Sequence, residues 1–272
     1  MLSEPEAPKL DEASMWSVHR ALSPLIGSAI HNGTLVRPDL ASAMALSDAD
    51  RLREEDPFTE HFIADVPNRI IVHRSRFEVD LNRARAAAIY RKPEDSWGLS
   101  VWRQSLSDEQ MGTSLDFHDR YYALLANILS DLEGDFGHFV LLDVHSYNHR
   151  RKGADADPSP QCEAPTINIG TISMDRARWS DVLDPFMQSL RSFEFEGRSI
   201  DVQENVAFEG RGEQTRFVHE NFPDTGCAIA IEFKKVFMDE WTGEGYEAKI
   251  NSLRHALSNS LPVLLDCLKA RG

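Results

Sequence analysis

The chain has few cysteines and no long apolar run, and each shortage excludes a class of protein. Its three cysteines, Cys162, Cys227 and Cys267, are widely spaced and include no Cys-x-x-Cys pair. This argues against a disulfide framework and a thiolate zinc site, and it favours a reducing, cytoplasmic location. No apolar run approaches the roughly 20 residues that span a bilayer. Residues 1–12 also lack the basic and apolar segments of a secretion signal.

Basic residues are in the minority as well. The chain has 29 Lys and Arg against 44 Asp and Glu, which gives a net charge of -15. This surplus argues against nucleic acid or an anionic membrane as a partner. A small anionic substrate would need a local cationic pocket to bind to this acidic protein. The sequence does not predict the oligomeric state.

Helix-like and strand-like segments alternate along most of the chain. The polar, acidic residues 1–12 predict a flexible N-terminal arm, and residues 13–272 predict a single α/β domain with a mixed, mostly parallel sheet flanked by helices. Strands are predicted at residues 25–30, 70–72, 77–81, 138–144, 167–171 and 227–233. Helices are predicted at residues 117–133, 175–191 and 246–268.

The most informative strand is the one that leads into His145. The apolar run Phe139–Leu142 is typical of a strand that is buried on both faces, and it continues into Asp143-Val144-His145-Ser146. Ligands of open α/β sheets bind at the carboxyl ends of strands, and a neutral imidazole is a common metal ligand. Strand alternation places Asp143 on the same face as His145, where its carboxylate could orient the histidine.

Other predicted strands also end in polar side chains, at His31, at Asn82-Arg83 and at Glu232. A catalytic zinc site uses three protein ligands and leaves one position open. His31 and His145 supply two, and Glu60 is the predicted third, with Asp56 and Glu55 as rivals. Glu232 suits a general base that does not bind the metal. Arg83 suits a bidentate contact to a substrate carboxylate.

Several motifs together resemble the N-formylglutamate amidohydrolases, the zinc-dependent deformylases of histidine catabolism. They are His31-Asn32-Gly33, Asp56-Pro57-Phe58-Thr59-Glu60, Ser75-Arg76-Phe77-Glu78-Val79-Asp80-Leu81-Asn82-Arg83, Asp143-Val144-His145-Ser146, Asn168-Ile169-Gly170-Thr171 and Ile231-Glu232-Phe233.

The resemblance implies a zinc-carboxypeptidase-like α/β fold. It further implies that His31, an acid near Glu60 and His145 bind the metal, that Asn82 and Arg83 meet the substrate carboxylate, and that Glu232 is the base. Arg76 or Arg216 is then a candidate for stabilising an oxyanion or a second carboxylate, although Arg76 could equally support the strand.

The leading hypothesis is a zinc amidohydrolase that acts on N-formyl-L-glutamate or a related N-acyl amino acid. One alternative is a carboxypeptidase-like enzyme or amidase acting on a peptide or cell-wall fragment. Another is a non-catalytic, ligand-binding relative. Zinc is the expected metal, although His and carboxylate ligands accept other first-row divalent ions. The basic loop at residues 147–163 predicts either a solvated surface or an anion-attracting lid.

Overall fold

The computed structural model describes residues 15–271 and contains a mixed seven-stranded sheet with helices on both faces. The predicted N-terminal arm at residues 1–12 lies outside the described residues. The strands are β1 Trp16–His19, β2 Leu25–Ala29, β3 Asn68–Val72, β4 Phe139–Tyr147, β5 Ile167–Gly170, β6 Glu194–Phe195, β7 Arg198–Ser199, β8 Val202–Glu204 and β9 Gly226–Lys234. The helices are α1 Pro38–Ala41, α2 Asp48–Glu54, α3 Thr59–Phe62, α4 Asp108–Phe136, α5 Ser180–Ser192, α6 Glu213–Asn221 and α7 Glu247–Lys269.

The strand order of the main sheet is β1-β3-β2-β4-β9-β5-β8, and β6 and β7 form a separate ribbon. Strands β3, β2, β4 and β9 are parallel to one another, whereas β1 is antiparallel to β3 and β5 is antiparallel to β9. This arrangement confirms the predicted mixed, mostly parallel sheet. The parallel strands end at the same edge of the sheet, and this is the edge at which ligands of open α/β sheets bind.

The two central strands are buried because helices cover both faces of the sheet. All nine residues of β4 are buried. On one face the core contains Phe186 of α5 and Leu257 of α7, and on the other it contains Tyr121 and Leu129 of α4. Burial on both faces explains why β4 and β9 are continuous apolar runs in the sequence.

The helix predicted at residues 117–133 lies inside the longer α4. Ser107 and Gln110 form a capping box at its start, and the helix continues through Gly134 to Phe136. Gly137 ends it because its φ of 74° is a left-handed conformation that favours glycine. The helices predicted at residues 175–191 and 246–268 correspond to α5 and α7. Within residues 15–271, no helix is long and apolar enough to cross a membrane.

The strand predicted at residues 77–81 is wrong, because this segment forms turns outside the sheet. The Glu78 amide donates to the Ser75 carbonyl at 3.0 Å, and the Asp80 amide donates to the Ala88 carbonyl. The side chains of Glu78 and Asp80 are as buried as those of their apolar neighbours Phe77 and Val79. The apolar–polar alternation therefore does not mark a solvent-facing side of a strand here.

Candidate metal centre

His31 and His145 come together because they lie on parallel neighbouring strands. His31 follows β2 and His145 lies within β4. The register pairs Ser28 with Asp143, so the chain reaches both histidines at the same edge of the sheet. Their ring centroids are 4.9 Å apart, and both side chains are almost fully buried.

Asp56 is the carboxylate that lies between the two histidines. It is in the turn between α2 and α3, where its amide donates to the His31 carbonyl at 2.9 Å. Its Oδ2 is 3.4 Å from Nδ1 of His31 and 3.1 Å from Nδ1 of His145. The Ser146 hydroxyl donates to its other oxygen at 3.1 Å. Burial opposes ionisation of Asp56, but the adjacent imidazoles of His145 and His31 outweigh it and lower the pKa of the carboxyl far below its usual value.

Two further buried carboxylates hold the far nitrogen of each histidine. Nε2 of His31 lies 2.7 Å from Asp80, and Nε2 of His145 lies 2.9 Å from Asp143. An ionised carboxylate accepts a hydrogen bond and does not donate one, so each contact favours a proton on Nε2, which would leave Nδ1 available to a metal ion. Gln214 donates to Asp143 at 2.5 Å and fixes that carboxylate in turn.

Nδ1 of His31, Nδ1 of His145 and Oδ2 of Asp56 lie at distances that fit a divalent metal ion. Zinc binds His nitrogen and carboxylate oxygen at about 2.0–2.2 Å, so tetrahedral ligands lie about 3.3 Å from one another. The separations of 3.4 Å and 3.1 Å from Asp56 match this value, and all three atoms of the group lie within 4.8 Å of one another. Nδ1 of His31 is buried and has no hydrogen-bond partner, which is the state expected of an atom that serves as a metal ligand.

Glu60 does not join this group. Its side chain is 43% exposed, and its nearest ionic neighbour is His61 at 3.9 Å. Phe58 takes a left-handed conformation with a φ of 69°, which turns the chain sharply after Asp56. Glu60 is the second residue of α3, where its amide donates to the Asn32 side chain at 3.1 Å. Among the acids left open by the sequence, the geometry selects Asp56; Glu55 is turned away and accepts from Ser75 and Arg51.

Glu232 lies beside the group on the neighbouring strand β9, paired in register with His145. Its carboxylate has no hydrogen bond or ion pair with any residue in the range 15–271. Burial raises the pKa of Glu232 to about 8, and the negative charges of Asp56 and Asp143 add to this effect, although His145 opposes it. Glu232 is therefore an unpaired carboxyl group that can gain or lose a proton near neutral pH.

A cavity of about 570 Å³ opens onto these groups. Four cationic side chains line it, although the chain as a whole is acidic: they belong to Arg53, Arg76, Arg151 and Lys235. The carboxylates of Glu54, Asp56 and Glu232 line it as well. The four cations are the groups that an anionic ligand of this acidic protein would need. Asn82 also lines the cavity, with its amide nitrogen 3.4 Å from Nε2 of His145.

The arginines predicted from the sequence are distributed differently. Arg76 is at the cavity, where it pairs with Asp80 at 2.9 Å and donates to the Glu54 carbonyl. Arg83 also pairs with Asp80, at 3.4 Å, and stacks over the Tyr90 ring at 4.8 Å, but it does not line the cavity. Arg216 pairs with Glu213 on α6 and is 43% exposed. The structure therefore brings Arg76 and Asn82 to the site, but not Arg83 or Arg216.

Sequence reasoning missed two groups of the site. Asp80 is part of the motif Ser75–Arg83, which predicts no role for it, yet it orients His31 and pairs with Arg76. Lys235 was not singled out, although it is buried and its ammonium donates to the carbonyls of Arg53 and Glu55. For Lys235 the available signal was a charged residue directly after a buried strand, similar to the signal that marked Glu232. Asp80 lies outside the sheet, and this signal does not mark it.

Comparison with known proteins is consistent with this architecture. The sequence model of the N-formylglutamate amidohydrolase family matches residues 23–238. An N-formylglutamate amidohydrolase from Ralstonia eutropha JMP134 superposes with a TM-score of 0.72 at 17% identity, covering 95% of this chain and 98% of that one. A gene product from Agrobacterium tumefaciens superposes with a TM-score of 0.59 at 17% identity, covering 93% and 97%. No curated protein has a sequence that matches this chain significantly.

These similarities define the class of protein as a hydrolase with a mixed α/β sheet, because the matching family consists of amidohydrolases and the fold is shared. The family model spans most of the chain. The chain belongs to the N-formylglutamate amidohydrolase family, as its motifs predict.

Proposed function

We propose that this protein is a zinc-dependent amidohydrolase that cleaves the amide bond of an N-acyl amino acid, with N-formyl-L-glutamate as the substrate. The products are formate and glutamate, as in histidine catabolism. The observation that carries the proposal is the pair of histidines that present Nδ1 to Asp56 beside the unpaired carboxylate of Glu232. Family membership supports hydrolysis, and a cytoplasmic location remains a prediction.

In this proposal His31, Asp56 and His145 hold the metal ion. When bound, zinc supplies Lewis acidity, which lowers the pKa of water and polarises a carbonyl. Asp80 and Asp143 keep the two imidazoles in the coordinating tautomer and orientation. Another first-row divalent ion is compatible with the same ligands.

Glu232 acts as general base and then as general acid. It takes a proton from water as the water oxygen bonds to the acyl carbon. It then gives that proton to the leaving nitrogen as the carbon–nitrogen bond breaks. Its raised pKa suits both transfers, because a group that titrates near the working pH can accept and return a proton.

The cavity residues bind the remainder of the substrate. In the proposal the Asn82 amide holds the α-carboxylate near the scissile bond, which its contact with His145 supports. Arg76 carries a positive charge. Burial disfavours the charged form, but the neighbouring Asp80 outweighs this effect and raises the pKa of the guanidinium. It provides positive charge at the cavity wall, where charge developing on the acyl oxygen would be stabilised.

The test is release of formate from N-formyl-L-glutamate by zinc-loaded protein, with chelator-treated protein as the control. Formate release that zinc restores after chelation is the expected result. Parallel assays with N-acetyl-L-glutamate and a dipeptide ending in glutamate separate a deformylase from a broader amidase or a carboxypeptidase-like enzyme. Absence of cleavage of every N-acyl amino acid by the zinc-loaded protein would contradict the proposal.

A further inference from the structure

We infer that Arg151 is the residue that selects substrates with a second, side-chain carboxylate, and this inference rests on the proposed function. Arg151 lies just after β4, in the basic loop that follows the metal-binding strand. The first evidence is its surroundings. Its guanidinium lies 5.2 Å from the ring centroid of Tyr147 and 5.5 Å from that of Phe208, and all three residues line the catalytic cavity.

The second observation is that Arg151 has no anionic partner. Within residues 15–271, no carboxylate forms an ion pair with it and no oxygen accepts a hydrogen bond from it. The other cations at the cavity each have a protein partner: Arg53 pairs with Glu54 at 3.2 Å, although its Nε has no hydrogen-bond partner, Arg76 pairs with Asp80, and Lys235 donates to backbone carbonyls. Among the four cations that line the cavity, Arg151 is therefore the one with neither an anionic nor a carbonyl partner within residues 15–271.

The rings of Tyr147 and Phe208 hold the Arg151 guanidinium in position. Tyr147 and Phe208 pack with their centroids 5.3 Å apart, and a guanidinium stacks on aromatic faces while its edge stays free for a planar, bidentate contact. A carboxylate matches that edge in shape and charge. The pre-organised position lowers the entropy lost when the ligand binds.

The position along β4 indicates which carboxylate is bound. Tyr147 lies two residues beyond His145 on the same strand, so its backbone is about 7 Å farther along and its side chain is on the same face. A group held above Tyr147 is too far from His145 to touch the scissile amide. It is placed instead for the end of a two-methylene side chain, such as the distal carboxylate of an N-acylglutamate.

The kinetic test compares N-formyl-L-glutamate with N-formyl-L-glutamine, which has the same shape but a neutral side chain. For Arg151→Ala, we expect kcat/KM for the glutamate substrate to fall about 10- to 100-fold, the usual effect of losing a charged hydrogen-bonded contact. The value for the glutamine substrate should change clearly less, because its neutral side-chain amide forms no ion pair with the guanidinium. Arg151→Lys should recover part of the loss, since it restores the charge but not the planar fork.

Lys152→Ala is the matched control, because Lys152 is exposed on the same loop and does not line the cavity. It should leave both substrates at wild-type rates. An equal loss on both substrates in Arg151→Ala, or an equal loss in Lys152→Ala, would overturn the inference.

A binding measurement separates this inference from the proposed function. Calorimetry would compare glutarate with glutaramate, its half-amide, on zinc-loaded wild-type protein and Arg151→Ala. Wild-type protein should bind glutarate at least tenfold more tightly than glutaramate, and Arg151→Ala should remove the difference. If wild-type protein releases no formate yet shows this preference, the proposed reaction fails and the role of Arg151 stands. If formate is released but neither measurement depends on Arg151, the inference fails alone.

Discussion

Replacing Glu232 by glutamine separates metal binding from proton transfer. Glutamine has nearly the same size as glutamate but cannot accept a proton from water. Glu232 lies beside the His31–Asp56–His145 group without belonging to it, and it forms no ion pair or hydrogen bond within residues 15–271 that the change would break. The substitution should therefore leave the fold and the metal site intact.

The expected loss follows from the role of a positioned general base. Such a base contributes about 10²- to 10⁴-fold to the rate, which corresponds to about 3–5 kcal/mol in the activation barrier. In Glu232→Gln we expect kcat for formate release to fall by this factor. Zinc content should remain at about one ion per chain, the stoichiometry of a three-ligand site.

The pH profile gives a second signature of the same residue. A base must be deprotonated to act, so kcat/KM should fall as the pH drops through the pKa of Glu232. Burial raises that pKa to about 8 in the absence of a cation, and a nearby bound cation favours the charged form and lowers it. The acid limb should thus lie above the ordinary glutamate value of 4.5 and at or below about 8, and it should be absent in Glu232→Gln.

The matched control is Glu78→Gln. Glu78 is also a buried glutamate with a pKa raised by burial, but it accepts from the Arg37 amide and does not line the cavity. Its substitution should change stability and leave kcat unaltered. A fully active Glu232→Gln, or a Glu232→Gln that has lost its zinc, would refute the reasoning.

Two further predictions concern the support of the site and the acid stability of the fold. Asp80→Asn should weaken zinc binding about 10- to 100-fold, the usual effect of losing a partner that orients a ligand; a competition titration with a chelator measures it, and Asp65→Asn, which removes an exposed ion pair with Arg254, should have no effect. His219 has its pKa lowered by burial from 6.5 to about 4, so the unfolded chain binds more protons between these values and stability falls as the pH drops from 6.5 to 4. The loss should be about 1–3 kcal/mol in the free energy of unfolding, measured by urea denaturation at several pH values. His219→Gln keeps an acceptor for the Ala228 amide, and should therefore remove this part of the pH dependence; an unchanged pH dependence would contradict the assignment.

The sequence predicted those parts of the fold that follow from burial. Strands β4 and β9 are apolar because both of their faces are covered, and α7 repeats apolar residues at helical spacing. The histidines and Glu232 were identifiable because each follows or ends an apolar strand. At Glu78 and Asp80 the polar side chains are buried as well. The alternation of apolar and polar residues therefore does not indicate a strand there, and the strand prediction was wrong.

The direction of side chains in loops was not predictable. Asp56 and Glu60 differ by only four positions, and the left-handed conformation of Phe58 directs one to the histidines and leaves the other exposed. Arg76 and Arg83 lie on either side of Asp80 in the sequence, and both pair with it, yet only Arg76 lines the cavity. Packing against residues far away in the sequence sets the directions of these side chains, and residue spacing alone does not predict them.

The most direct test of the account is the zinc content of three purified proteins after removal of metal and dialysis against zinc. Wild-type protein and Glu60→Ala should each hold about one zinc ion per chain, whereas Asp56→Ala should hold almost none. The result follows from the structure, because Asp56 lies between His31 and His145 and Glu60 is exposed. Zinc retained by Asp56→Ala and lost by Glu60→Ala would contradict the proposed centre.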